Sequence, residues 1–292
     1  MTRRRQVRPW NQRIAPYLFI LPNMLIFGVF IVYPAINGFY VSGFDSSNGR
    51  TFTPVGAANY GKLFGDEEFW SAARASLIFV VAFVLISTAA AIGLALLLTQ
   101  PIRARGFFRA VFFLPVLLSP VVVGLLWSWI LERRSGALNS VLGLDIGWLV
   151  DGPTALGVTV FVGVWMHVGF YTLIIMAGLQ GIDGSYHEAA RIDGAGAWQR
   201  FKHVTWPLLR PTTLVVVILS MIAGFQAFDF IYTLTGGGPL GATTLMVQYV
   251  YEHAFRSPIQ YGLAAAGSVV LFCTIFALTM LNFLYGRRRE SM

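Results

Sequence analysis

Charge is what this chain has least of. Only 12% of its 292 residues are Asp, Glu, Lys or Arg, while 56% are hydrophobic and the mean hydropathy is +0.67. An ordinary soluble domain carries about twice that share of charge, so the shortage excludes one and points to an integral membrane protein. Cysteine is almost absent. Cys273 stands alone in an apolar run, which excludes an intramolecular disulfide and leaves it as a small packing residue. Acidic residues are few, 13 against 21 Lys and Arg, for a net charge of +8. That sign alone suits nucleic acid or anionic lipid, and the distribution of the cations has to decide. An A-x-A-like cleavage site is lacking after the first apolar run, which is also too long for a signal-peptide core, so it reads as a permanent span.

What is present is a series of long apolar runs. A spanning helix needs roughly 20 mainly apolar residues, and six segments qualify, at about 17–41, 75–99, 107–131, 155–179, 212–234 and 261–285. The runs are continuously apolar, whereas barrel strands alternate, and a helix satisfies its own backbone in lipid. The fold class that follows is all-α, a single polytopic membrane domain over 1–292 with six transmembrane helices. Fifteen Lys and Arg fall at the N-terminus (residues 3–13), at 100–109, at 180–211 and in the tail, and six fall on the other side. This asymmetry places both termini and the 180–211 loop in the cytoplasm. With the cations outside the spans or, for Arg109, at the end of one, the basic balance is a topology signal, and no nucleic-acid partner is needed.

Two outer loops are substantial. Residues 42–74 carry the acids Asp66, Glu67 and Glu68 among aromatic anchors. Residues 235–260 open on the turn-rich TGGGPLGA and continue as TLMVQYVYEHAF, a candidate amphipathic helix for the membrane surface.

Motifs for chemistry are also lacking. In YHEAARIDGAGAWQRF (186–201), His187-Glu188 starts like a zinc site, but the second ligand position is Arg191. Gly194-Ala-Gly196 starts like a dinucleotide loop, but position 199 is Gln. There is no Walker A sequence and no G-x-S-x-G elbow. The 180–211 loop reads instead as two short helices around a glycine hinge. The first runs from Ser185 to Asp193, with Ser185 as N-cap and Glu188 completing a capping box, and Gly194 ends it with φ > 0. The second runs from Ala197 to Val204 with Trp198, Phe201 and Lys202 at neighbouring spacings, and Pro207 and Pro211 restrict entry to the fifth span. An ordinary solvated connector is one reading. A docking surface is the other, favoured by apolar side chains with no partner.

EAARIDGAGAWQRFKHVTWPLL resembles the EAA signature of ABC importer permeases, carried by Glu188, Ala189, Ala190, Gly194 and Pro207. Val204 and Trp206 depart from its usual Ile and Leu and remain apolar. The resemblance extends over nearly the whole chain to the carbohydrate-importer branch, and Thr235-Gly236-Gly237-Gly238-Pro239 is similar to the maltose-type first permease subunit. It implies a subunit of the bacterial cytoplasmic membrane that is not an enzyme and holds neither cofactor nor metal. ATP and Mg would bind a dimer of cytoplasmic ATPase subunits. A second permease would complete the pathway and an extracytoplasmic solute-binding protein would deliver sugar. Glu188, Ala189, Ala190, Asp193, Gly194, Ala195, Trp198, Phe201 and Pro207 would form the ATPase-coupling element. A permease of the same architecture for a polyol or glycerol phosphate is the alternative, with a stand-alone channel or secondary transporter behind it.

For the translocation path, a rise of about 1.5 Å per residue puts Trp165 and His167 roughly 15–18 Å into the fourth span. Ser87, Thr88, Ser119, Ser220 and Thr274 reach similar depths. Such residues either bond between helices or face a cavity. Asp229 is the one acid inside an expected span, and Gln226 lies one turn deeper on the same face. Trp165, His167, Tyr171, Gln226 and Asp229 are the candidate path residues, since sugars are held by hydrogen bonds and aromatic faces. Structural packing or bonding is the competing reading for His167 and Asp229.

Overall fold

The computed structural model describes residues 10–100 and 105–290. The cations Arg3, Arg4, Arg5, Arg8 and Arg103 of the topology argument lie outside the described residues. Among the described residues, five helices are long and apolar enough to cross a membrane, or up to six if one bent pair counts as a span.

The chain opens with α1 (Trp10–Phe27), which passes through a wide π turn (Gly28–Val32) into α2 (Tyr33–Val41). A two-residue pairing of β1 (Phe44–Asp45) with β2 (Thr53–Pro54) and a short α3 (Ala58–Phe64) lead into α4 (Glu67–Leu98). Asp66 caps α4, its carboxylate accepting from the Glu68 amide at 3.0 Å. The central layer is α4 packed along α8 (Gly152–Gln180), with α11 (Trp206–Phe225) against both. Its core holds Phe79, Phe83, Val162, Tyr171, Ile175 and Val216. The last helix, α14 (Tyr261–Glu290), packs on α2, α11 and α13 (Met246–Phe255).

The third span, expected at about 107–131, is broken. α5 (Arg105–Phe113) runs into a 3₁₀ turn (Leu114–Leu117), and α6 (Pro120–Ile130) leaves at 103°. Proline explains the bend. Pro115 and Pro120 lack an amide hydrogen, and Ser119 before Pro120 is extended, as pre-proline sterics demand. Ser119 therefore caps a bend rather than lying inside a spanning helix.

The fifth span also differs. Expected at 212–234, it is a helix from Ala197 to Phe225 that stops at Gln226. Asp229 begins a separate helix, α12 (Asp229–Leu234), so it is not an intraspan acid. α12 turns aside because its apolar face (Phe230, Ile231, Leu234) is buried, largely against α6. Gly124 of α6 makes room, since a β-carbon there would strike Thr233 Oγ1 and the Phe230 carbonyl.

Three smaller expectations change. α13 is amphipathic, but its apolar face packs on protein. Met246 and Tyr249 are buried with Leu63, Phe69, Ala72 and Leu263. Cys273 is exposed on α14 rather than packed within the chain. Ser87, Ser220 and Thr274 donate to carbonyls of their own helices, at Phe83, Val217 and Val270, so they do not bond between helices. Thr88 is buried with no hydrogen-bond partner for its hydroxyl.

The bent third span lies close against α8 at Gly169, where an added β-carbon would meet the Phe112 carbonyl and the Phe113 backbone. Neither can move independently of its helix, so Gly169→Ala is expected to cost about 1–3 kcal/mol by overpacking. A lowered thermal unfolding midpoint with unchanged helical content checks this.

Candidate functional site

The segment that links α8 to α11 is built as an elbow. α9 (Gly184–Ile192) starts at Asp183, whose carboxylate accepts from the Ser185 amide at 2.9 Å. The expected cap was Ser185, with Glu188 completing the box. Asp183 supplants it because a carboxylate is a stronger acceptor and its charge suits a helix N-terminus. Glu188 then lies mid-helix and exposed. Hydrogen bonds from the Ser185 amide, the largest cause, and from the Ser185 side chain hold the Asp183 carboxyl below the ordinary carboxylate range.

α9 ends as the glycine implied. Gly194 has φ +75°. Its amide bonds the Arg191 carbonyl at 3.0 Å, and the Ala195 amide bonds Ala190 at 2.9 Å, which together form a Schellman turn. The chain restarts at Gly196, whose amide donates to Gln199 Oε1 at 2.8 Å, and enters α10 (Ala197–Arg200). No gap separates this helix from the span. A π turn (Phe201–Thr205) joins α10 to α11, with the Trp206 amide reaching back to Phe201. The second short helix expected at 197–204 is thus the end of one helix running from 197 to 225. Pro207, in its first turn after the π segment, is accommodated without a break because the wide turn relaxes the local ladder.

The elbow's apolar groups are outside. Ile192 is 88% exposed and Trp198 72%, and Tyr186 is also exposed. No residue of α9 is buried. Ala189 is exposed and Ala190 and Ala195 half-buried, so small residues flank the turn. Trp198 stacks on Phe201 at 5.5 Å and Phe201 meets Trp206 at 6.4 Å, which ties the elbow's aromatic side to the span. Glu188, Ala189, Asp193, Gly194 and Trp198 thus share one exposed structure, with Phe201 and Pro207 at its root. The sequence reading missed Asp183, Tyr186 and Ile192. An Asp ahead of Gly-Ser at a helix start was the available signal for the first.

The candidate path residues do not form one site. Trp165 lies edge-to-face with Trp127 at 5.5 Å and lines a cavity of about 460 Å³ whose other walls include Leu94, Leu97 and Phe161. His167 and Tyr171 stack one turn apart at 6.1 Å, both against Phe83. His167 Nδ1 is 3.0 Å from the Gly163 carbonyl and Tyr171 is buried. Gln226 and Asp229 are exposed at the break after α11, and among the described residues no hydrogen bond or ring contact joins them to the α8 group. The rings nearest them in sequence form their own cluster. Phe228 meets Tyr232 at 5.2 Å and Tyr251 at 5.0 Å, and Arg256 donates to the Tyr232 hydroxyl at 2.6 Å.

Long apolar helices, two of them broken, and an exposed capped elbow continuous with a span define a polytopic helical membrane protein. Comparison with known proteins agrees. Residues 84–290 match the family described as binding-protein-dependent transport system inner membrane component. A sn-glycerol-3-phosphate transport system permease protein of Agrobacterium fabrum is 33% identical, covering 95% of this chain and 96% of the relative. The trehalose/maltose transport system permease protein of Thermococcus litoralis is 34% identical, covering 94% of each. The crystal structure of a bacterial ABC transporter involved in the import of the acidic polysaccharide alginate shares the fold, with TM-score 0.82 at 22% identity over 95% of this chain and 97% of that one. The chain belongs to the binding-protein-dependent transport system inner membrane component family. It is a permease subunit of an ABC transporter, an inner membrane component.

The Asp183 cap carries a pH signature. A carboxyl whose folded-state pKa is depressed contributes its full stabilisation above its unfolded pKa and loses it as pH falls through the folded value. α9 is therefore expected to fray on acidification below the ordinary carboxylate range. Amide hydrogen exchange over residues 184–192 should accelerate there, and Asp183→Ala should show the faster exchange already at neutral pH.

Proposed function

We propose that this chain forms, with a second related permease, the membrane pathway for uptake of a neutral sugar. ATP hydrolysis on a dimer of cytoplasmic ATPase subunits drives it, and an extracytoplasmic binding protein supplies the solute. Both termini and the elbow face the cytoplasm in this reading, and six spans cross the membrane when the bent third helix counts as one. The asymmetry of the 21 Lys and Arg supports that orientation.

The observation that carries the reading is the elbow. A nine-residue helix with no buried residue, held at both ends and joined to a helix that enters the core, is built to receive force from outside the chain. A helix of this length is marginal in isolation, so its caps matter. Glu188, Ala189, Ala190, Asp193, Gly194, Ala195, Trp198, Phe201 and Pro207 form the surface that the ATPase engages. ATPase closure tilts the elbow, and the continuous 197–225 helix carries the tilt into α4 and α8. This is a two-state rearrangement biased by ATP, with no covalent chemistry in this chain.

Neutral sugar is favoured over glycerol phosphate by the placing of cations. The cations within long helices 67–98 and 197–225 are Arg74, near the start of the first, and Arg200, Lys202 and Arg210, in the first half of the second, and none of them is buried. A buried phosphate would call for one deeper. One of the similar permeases is named for trehalose and maltose. Gln226 and Asp229, exposed at the α11 break, are the path residues this reading retains first, and Trp165, His167 and Tyr171 follow as wall residues.

Gly194→Val tests the elbow. A β-branched residue cannot hold φ +75° without strain, so the Schellman turn opens. Uptake by the reconstituted complex should fall at least tenfold with membrane insertion and subunit assembly unchanged. Normal uptake would overturn the coupling assignment. Uptake of labelled trehalose or maltose against labelled glycerol 3-phosphate tests the solute, and transport of the phosphate alone would replace the sugar reading.

A further inference from the structure

A groove beside the elbow shares Trp198, Phe201 and Pro207 with the coupling surface and adds cations and an apolar wall that coupling does not use. It is a cavity of about 820 Å³ between α4 and the helix formed by α10, the π turn and α11. We propose that it binds an anionic phospholipid, the headgroup at its rim and the upper acyl chain against α4.

Its two ends differ in chemistry. The inner wall is Ala89 and Ile92 of α4, roughly 9–14 Å in from that helix's end at Leu98 by rise per residue. These are small and apolar, on a helix otherwise suited to hydrocarbon. The rim carries Lys202, His203 and Arg210, all exposed, and no acid lines the cavity. Among the described residues neither Lys202 nor Arg210 is within ion-pair distance of a carboxylate. On the facing helix the rings interleave with these cations: Trp198 and Phe201 precede Lys202 and Trp206 follows it, in successive ring contact, and Arg210 lies roughly 12 Å beyond Lys202 by rise per residue. Aromatic rings with a polar edge settle at the level of lipid headgroups, and basic pockets between spanning helices hold anionic ones.

An apolar wall facing a helix side of interleaved aromatic rings and unpaired cations matches one molecule. A soluble phosphate would use the rim and leave the wall empty. A partner helix would cover the wall and strand the cations unless it brought acids. A phospholipid satisfies both ends. The site adjoins the elbow's aromatic root, so a bound lipid would brace the point at which the elbow meets its span. The inference does not depend on which solute is imported.

Native mass spectrometry of the intact purified transporter, titrated with phosphatidylglycerol or phosphatidylcholine, tests it. One phosphatidylglycerol should be retained in preference to phosphatidylcholine. The double variant K202Q/R210Q should bind it roughly thirtyfold more weakly, the loss expected for two cations near an anionic headgroup. K202R/R210K should restore binding, and Arg134→Gln in another loop should not alter it. If the double variant does not assemble, Lys202→Gln and Arg210→Gln singly should each read about fivefold. Equal retention of the two lipids, retention of neither, or wild-type retention in the glutamine variants would overturn the proposal. Displacement of the lipid by inorganic phosphate would overturn it too, assigning the rim to a soluble anion.

Discussion

Hydrocarbon offers no hydrogen-bond partner to a peptide group, so a helix that breaks at membrane depth has to break against protein. This chain breaks two of its long helices, at 114–119 and at 226–228. The segments after the breaks meet. α12 packs on α6, and Thr233 Oγ1 lies within 3.3 Å of the Val121 carbonyl while also facing carbonyls of its own helix. Phe230 reaches the Phe79 ring in the α4–α8 core at 6.4 Å. The packing beside the breaks comes from the segments that follow them, including the glycine at 124 that lets two backbones approach.

The same economy holds the opposite loops rigid. Tyr249, wholly buried, donates to the Asp66 carboxylate at 2.6 Å, and the Met246 amide donates to Ser76 Oγ at 2.8 Å. Burial first, then the hydrogen bond to Asp66 and its charge, push the Tyr249 phenol far above its usual range, so it donates. Asn59, also buried, spans the Ser42 and Phe44 carbonyls at 2.9 and 2.8 Å. α3, α4, α13 and the start of α14 thus form one frame around the ends of the spans. Near the elbow, Gly178 lies close against Thr212 and lets α8 and α11 approach.

Much of this was legible in residues alone. Apolar runs located each long helix, since lipid solubility is a property of composition over about 20 residues. Gly194 announced its positive φ because few other residues tolerate it. What was not legible was direction. Pro115 and Pro120 permitted a bend, but its 103° depends on what α6 packs against. The run 212–234 is mainly apolar, and burial of Phe230, Ile231 and Leu234 beside α6 separates α12 from α11. Trp165, His167 and Tyr171 lie within two turns of one helix. Their separation into an apolar cavity and a Phe83-centred cluster comes from neighbours on other helices.

The stretch 186–201 divides in the same way. Its residues determined a helix, a glycine turn and a second helical start, because caps and positive φ are local matters. They also carried the family signature. The tertiary structure decided which side chain caps α9, that the second helix is continuous with a span, and that Ile192 and Trp198 stand in the open. Exposure and continuity depend on where the rest of the chain packs, and no window of sequence contains that.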